Sequence, residues 1–247
     1  MRSSCSLRAN PLPMELSPLG DSAVIATLGD GIDEATLGRV RALADAIMEA
    51  HAPGILEVVP AYATVTVIYD SVRFATAGTR PYPTVCQLIT WCAARIESEE
   101  AEGAKAWKTA REIEVPVCYG GQFGPDLGDV AAHCGLEAAE VIALHSGARY
   151  LVNAVGFVPG FPYLGGLPDS LRVPRRTTPR TRVPEGSVGI GGGQTGIYPL
   201  ATPGGWNLIG RTPLVLFRPA EAVTCLFHMG DRVRFRPITA EEFAQWK

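Results

Sequence analysis

Gly189-Ile190-Gly191-Gly192-Gly193-Gln194-Thr195-Gly196-Ile197-Tyr198-Pro199 is the densest part of the tract that decides the fold of the C-terminal half. The tract runs from residue 151 to 214. Its 64 residues hold 13 of the 27 glycines and 9 of the 20 prolines. Glycine loses too much backbone entropy inside a helix, and proline removes a helical donor and clashes with the preceding turn. No helical period survives that density. Short strands remain, in this tract and just beyond it, at 150–155, 187–190, 215–217 and 232–237. Short strands cut by Gly and Pro predict a closed or nearly closed β-barrel.

Upstream of this tract the texture differs. Ala23–Leu28 reads as a strand entered through a Pro18-Leu19-Gly20-Asp21 turn. Over 33–50, Leu37, Val40, Leu43, Ala44, Ile47 and Met48 recur at helical steps. Pro53-Gly54 stops that helix. Strands follow at 55–60 and 64–69. In the second, Val65, Val67 and Tyr69 share one face, and Thr64, Thr66 and Ile68 the other. A second helix covers 82–100, with Val85, Leu88, Ile89, Cys92 and Ile96 on one stripe. A strand at 112–117 then alternates Ile113, Val115 and Val117 with Glu112, Glu114 and Pro116. Strand, helix, strand, strand, helix, strand is a split βαβ, ferredoxin-like order. The small and polar residues of 101–109, Trp107 apart, read as a linker. Two short helices follow at 126–133 and 137–146, with Asp126 as N-cap of the first and Gly147 just past the second. The fold class is therefore α+β, with an N-terminal domain over 14–108 and a β-barrel domain over 109–240.

The chain has 247 residues, enough for one or two domains with a sizeable core. Hydrophobic residues make up 47%, which argues against disorder, and a net charge of −3 gives no global drive toward nucleic acid or anionic membrane. No apolar run approaches the roughly 20 residues that span a bilayer. Residues 1–13 lack the apolar core of a secretory signal. Six cysteines without a C-x-x-C pair read as reduced, buried thiols of a cytoplasmic protein.

Three stretches carry the chemistry. Gly156-Phe157-Val158-Pro159-Gly160-Phe161-Pro162-Tyr163-Leu164-Gly165-Gly166-Leu167 is the first. Pro174-Arg175-Arg176-Thr177-Thr178-Pro179-Arg180-Thr181-Arg182-Val183-Pro184-Glu185-Gly186-Ser187 is the second. The third is the opening quotation, continued through Thr202-Pro203-Gly204-Gly205-Trp206 to Gly210-Arg211-Thr212-Pro213.

Within the second stretch, Arg175, Arg176, Arg180 and Arg182 gather four guanidiniums. Such forks bind carboxylate or phosphate bidentately, and on a strand Arg180 and Arg182 share one face. The cluster predicts anion or partner binding, with structural ion pairs as the alternative for any one member. In the third stretch, the glycines up to Gly193, then Gln194, Thr195 and Gly196, let a backbone approach a ligand and turn N–H groups toward an anion. The loop lacks the Lys-Ser/Thr ending of a P-loop. Gln194 suits an amide substrate or fixes a turn. Phe161 and Tyr163, two apart, stand on one side of an extended chain and offer an apolar wall with a phenol; Tyr198 offers another. Phe157 reads first as a packing residue and otherwise as part of that wall, and Trp206 reads as a packing residue. His145 ends a helix, as a cap favoured by the dipole or as an acid/base group near the barrel mouth. His51, His133, His145 and His228 have no metal-ligand spacing, so no metal is expected. No G-x-S-x-G elbow or Cys/His pair supports an unaided hydrolase. The catalytic candidates are thus His145, Gln194 and Tyr198. The substrate-binding candidates are Arg175, Arg176, Arg180, Arg182, Phe161, Tyr163, Gly193, Thr195 and Gly196.

The three stretches closely resemble the KipI family, also called the 5-oxoprolinase B-subunit (PxpB) family or allophanate hydrolase subunit 1, from about residue 16 to 237. One departure is an extra residue between Arg175 and Pro179, with only Thr181 between Arg180 and Arg182. The resemblance implies a cyclophilin-like form for the barrel. It implies two kinds of partner, a KipA-like C-type subunit and a LamB/YcsF-like A-type subunit, and a chain that is inactive on its own. It implies that the assembly uses ATP and water to open 5-oxo-L-proline to L-glutamate, with ADP and phosphate as the other products. Two alternatives come with it: a regulatory inhibitor of a sporulation-type histidine kinase, and a carboxyltransferase-like component working on urea or allophanate. Prolyl isomerisation would rest on fold analogy alone.

Overall fold

A computed structural model describes residues 14–31, 33–76, 78, 80–101, 111–221 and 223–246. The expectations for 1–13 and for most of the 101–109 linker lie outside the described residues. The chain divides into two compact units, Met1–Thr109 and Ala110–Lys247.

The first unit contains β1 (Glu15–Leu19), β2 (Ala23–Thr27), α1 (Glu34–Glu49), β3 (Ile55–Ala61), β4 (Thr64–Tyr69), α2 (Ser71–Thr76) and α3 (Pro81–Ala101). Its strands run in the order β1-β2-β4-β3, each antiparallel to its neighbour. β2 and β3 are therefore parallel, joined by α1, with β4 between them. Asp33 starts α1: one carboxylate oxygen accepts from the Thr36 N–H and the other from its hydroxyl, both at 2.8 Å. The helical stripe buries Leu37, Val40, Leu43, Ala44 and Ile47, but Met48 is half-exposed. Val85, Ile89 and Cys92 of α3 are buried with them, as are Val65, Val67 and Tyr69 of β4. Val24 and Ala26 pair with Val67 and Val65, so one sheet face is apolar throughout.

Two expectations for this unit are corrected. Pro18 and Leu19 belong to a strand, β1, and the turn lies beyond them at Gly20, whose φ is +65°. The strand expected to complete the split βαβ order does not pair here. As β5 (Glu112–Tyr119) it lies in the second unit. Alternation gives a strand its faces but not its partners, and the position beside β2 is filled by β1.

The second unit continues with α4 (Leu127–Cys134), α5 (Ala138–Gly147), β6 (Tyr150–Val155), β7 (Pro162–Gly165), a 3-10 turn at Asp169–Leu171, β8 (Arg180–Val183), β9 (Ser187–Gly191), β10 (Gln194–Ile197), β11 (Thr202–Gly204), β12 (Asn207–Arg211), β13 (Arg232–Pro237) and α6 (Ala240–Gln245). Seven strands close into a mixed barrel in the order β6-β13-β5-β12-β9-β10-β7, with β7 returning to β6. Only β5 and β13 run parallel among these pairs. Val115, Val117, Val152, Leu164, Val188, Ile190, Ile197, Ile209, Val233 and Phe235 fill the interior. Closure leaves each of these strands paired on both sides, which removes the open edges of a flat sheet. β8 and β11 form a separate two-stranded ribbon. The run at 215–217 makes one isolated bridge, Phe217 to Cys225, and no strand. Among the described residues no helix is long and apolar enough to cross a membrane.

Candidate functional site

The loops held by this barrel meet at one cleft. The β6–β7 loop brings Phe157 and Phe161, and β7 brings Tyr163. The segment before β8 brings Arg175 and Arg176. The segment from Tyr198 through β11 brings Thr202, Gly204 and Trp206. Together they line a cavity of about 440 Å³, within the roughly 300–1,000 Å³ of small-molecule sites. Phe161 anchors the aromatic wall. Its ring centroid lies 4.9 Å from that of Tyr163, 5.1 Å from Tyr198 and 5.5 Å from Trp206, the last at 87°. Edge-to-face rings of this kind gain from their quadrupoles as well as from burial. Glycine makes the wall possible. A Cβ on Gly191 would stand 2.8 Å from the Trp206 ring, and one on Gly204 would stand 2.4 Å from the Tyr198 oxygen.

The arginines divide by partner. Arg180 grips Asp126 with both Nη atoms, at 2.8 and 2.7 Å, and Arg176 adds a third contact at 3.0 Å. Asp126 is buried and also accepts from the Leu208 N–H at 2.7 Å. It thus fastens the Arg176 and Arg180 segment to β12. The Arg176 N–H also donates to the Gly205 carbonyl at 2.8 Å, which sets the loop against the chain just after β11. The Arg176 Nε is buried without a hydrogen-bond partner. Arg175 is exposed, and its guanidinium lies over the Trp206 ring, 5.9 Å from the centroid. Among the described residues it has no carboxylate within ion-pair distance. A second cavity of about 340 Å³ shares Arg175 and Arg176 and is edged by Asp129 and His133 of α4. Burial pushes the Tyr198 phenol above its ordinary pKa, against the Trp206 N–H, Arg175 and Arg180. Tyr198 is therefore a protonated phenol at neutral pH, a hydrogen-bonding group and not a base. The cleft can hold a flat ring against the aromatic wall and an anion at Arg175.

A family model described as "Carboxyltransferase domain, subdomain C and D" matches residues 14–227. The B subunit of 5-oxoprolinase from Bacillus subtilis (strain 168) is 42% identical over 238 residues, covering 94% of this chain and 96% of its own length. The chain belongs to the 5-oxoprolinase B-subunit family. The crystal structure of TTHA0988 superposes with a TM-score of 0.72 at 38% identity, over 87% of this chain and 40% of that one. The urea carboxylase of Kluyveromyces lactis superposes with a TM-score of 0.69 over 94% of this chain, which spans 22% of that protein. At 19% identity that likeness shows the fold alone.

In this member of the 5-oxoprolinase B-subunit family, all three motif stretches wall one cleft. Of the residues singled out from sequence, Arg175, Arg176, Phe161, Tyr163 and Tyr198 line it. Arg180 is held away by Asp126, and Arg182 is exposed on β8 and lines neither cavity. The glycine loop is not an anion cradle facing the cleft. Residues 191–194 form the β9–β10 turn, where Gly193 backs onto the Arg172 guanidinium. Gln194 begins β10 outside the cleft lining. Gly196 makes room for the Phe161 ring, where a Cβ would come within 2.9 Å.

His145 and Thr195 are both fully buried and bonded to each other. Thr195 Oγ1 donates to the Gly189 carbonyl at 3.0 Å, so it accepts from His145 Nε2 at 3.0 Å. The other ring nitrogen, Nδ1, then accepts from the Tyr119 hydroxyl at 2.8 Å. The Tyr150 hydroxyl donates to the His145 carbonyl. Burial pushes the His145 pKa down to about 3, so the ring stays neutral. It is neither a cap on helix carbonyls nor a proton relay at the cleft, because every polar atom of its ring is spent inside the core.

Sequence reasoning missed Asp126, read as a helix cap. Its side chain makes no cap hydrogen bond and turns to the arginines instead. The packing expected of Trp206 is what the structure shows, in a buried cluster with Phe161 and Tyr198, and the same ring also lines the cleft. Phe157, read first as packing and otherwise as part of the wall, is 62% exposed and lines the cleft. One signal for Trp206 was present: Gly189 and Gly191 bare one face of a strand, and a large ring is what covers such a face.

Proposed function

We propose that this chain is one component of an ATP-dependent 5-oxoprolinase, working in the cytoplasm with a KipA-like C-type subunit and a LamB/YcsF-like A-type subunit. The assembly would convert 5-oxo-L-proline, ATP and water to L-glutamate, ADP and phosphate, and this chain alone would be inactive. The observation that carries the reading is the cleft: an aromatic wall with one arginine, Arg175, at its edge and, among the described residues, no carboxylate committed to it. The name carried by relatives of similar length supports it.

In this reading the lactam ring lies against Phe161 and Trp206, and Arg175 receives its carboxylate. The phenols of Tyr163 and Tyr198 hydrogen-bond the amide. Arg176, oriented by Asp126, adds positive charge where negative charge develops as the ring opens. ATP belongs to the assembled complex, which supplies the drive by phosphoryl transfer. We further read residues 14–108 and 109–240 as two domains, the second a cyclophilin-like barrel. The first is a ferredoxin-like variant, a reading supported by the β2-α1-β3 crossover with β4 between its strands.

The test is glutamate formation from 5-oxo-L-proline and ATP by this chain with both partner subunits, against mixtures lacking each component in turn. Activity only in the complete mixture is expected. Full activity without this chain would remove the proposal.

A further inference from the structure

We infer that Phe157 is a ligand-contacting side chain, held in a strained backbone so that its ring closes the mouth of the aromatic cleft; the inference rests on the cleft being a ligand site. Phe157 has φ +70°. Among the described residues only His51 and Tyr62 share a positive φ without being glycine. Tyr62 sits in the tight turn between β3 and β4, and His51 follows the end of α1, where the chain reverses. Their conformations are set by those turns.

Phe157 differs in what it does with its side chain. A bulky residue in the left-handed region is an outlier, and glycine or asparagine would fit the backbone better. Burial does not compensate for the strain. Phe157 is 62% exposed, whereas Phe161, four residues on, is 2% exposed. The loop cannot relax by turning. The Gly156 N–H donates to the Phe161 carbonyl at 3.0 Å, and the Phe161 N–H donates to the Val158 carbonyl at 3.1 Å. Gly160, at φ +84°, is packed so closely that a Cβ there would stand 3.2 Å from Phe217.

The pinned loop sets the Phe157 ring edge-on to Phe161, centroids 5.8 Å apart at 82°, and so extends the aromatic wall outward. Strain kept at a cleft, with an apolar ring left in water, has its return in what the ring meets when the cleft is filled. The matching ligand feature is a flat ring, here the lactam, taken between Phe157 outside and the wall inside.

The test uses the assembled enzyme with 5-oxo-L-proline as probe and three variants. Phe157→Asn fits the left-handed backbone but lacks the ring. It is expected to raise KM for 5-oxo-L-proline about tenfold, the worth of one aromatic contact. Its kcat, its assembly with the partner subunits and its melting temperature should hold, the last within about 2 °C of wild type or higher. Phe157→Tyr should restore KM. Arg175→Ala reports on the cleft itself. Unchanged KM in Phe157→Asn, while Arg175→Ala raises it, overturns the inference and leaves the cleft standing. So does lost assembly at unchanged KM, or a melting temperature lowered by more than about 4 °C, which would make the ring a structural group. Unchanged KM in both variants removes the cleft as the substrate site and this inference with it.

Discussion

Asp126 and Glu114 each hold two arginines, and they stand in opposite environments. Asp126 is 4% exposed and meets Arg176 and Arg180 beside the cleft. Glu114 is 47% exposed on β5 and meets Arg234 and Arg236 of the parallel strand β13, at 3.4 and 2.9 Å. The chemistry of the pairs is the same, so the difference lies in water. Around Glu114 solvent screens the charges and competes for them, and such pairs contribute about 0–1 kcal/mol. Around Asp126 there is little solvent to replace a lost partner. The buried pair need not be a large net stabiliser, because desolvating the charges offsets much of their attraction. What it does impose is a heavy penalty when one partner is removed.

The sharpest way to break the comparison is Asp126→Ala. Two guanidiniums and the Leu208 N–H lose their acceptor together. We expect a loss of about 3–5 kcal/mol in denaturant-derived stability and a melting temperature lower by about 10 °C. A loss below about 1 kcal/mol would place Asp126 with Glu114, whatever its burial.

His145 sharpens the comparison from the side of a buried group with no opposite charge. Its folded pKa, about 3, lies below the unfolded value of 6.5. Between those values the unfolded chain binds a proton that the folded chain refuses. Stability from this group is complete above pH 6.5 and drains as the pH falls toward 3. Between about pH 7 and pH 5 the loss is about 2 kcal/mol. Urea midpoints for wild type and His145→Gln across that interval check it. The variant should be less stable at neutral pH and show a shallower fall, and parallel curves would mean that another group sets the slope.

These two buried groups also mark where the sequence was readable. Local period placed α1 and α3, and the alternation at 112–117 and 232–237 placed β5 and β13. Each of those signals is carried by residues within a few positions of one another. The four strands β7, β10, β11 and β12 carry little such signal, because glycine and proline interrupt them before an alternation can establish itself, and β8 is only four residues long between Pro179 and Pro184. The cleft was half legible for the same reason. Arg175, Arg176, Phe161, Tyr163 and Tyr198 stand out by type within short motifs. Asp126 lies 50 residues before Arg176 in the chain, and nothing local distinguishes it from a helix cap. His145 reads as functional by type alone, and only the fold brings Tyr119 and Thr195 to its two nitrogens.

Arg175→Ala should separate stability from binding. Its guanidinium rests on Trp206 and has no carboxylate partner among the described residues. Removing it should cost about 0.5–1 kcal/mol of stability, the worth of a partly exposed cation–π contact. In the assembled enzyme, KM for 5-oxo-L-proline should rise about tenfold or more, as a charge-assisted contact is lost. A stability loss near that of Asp126→Ala, with KM unmoved, would reverse the roles given to these neighbours.

The smallest expected effect belongs to Glu114→Gln. The substitution keeps the size and one hydrogen-bonding oxygen while removing the charge that Arg234 and Arg236 share. Arg234 also reaches Glu112 at 3.2 Å, so one of the two arginines retains a carboxylate. Water hydrates the other. We expect a change within about 0.5 kcal/mol, shrinking further between low and high salt as the Debye length falls. Measured beside Asp126→Ala in the same buffers, a large and salt-insensitive loss at Glu114 would mean that the β5–β13 ladder is less open to water than its exposure implies. The contrast between the two carboxylates would then have to be sought in the backbone pairing of the parallel strands β5 and β13, and not in solvent.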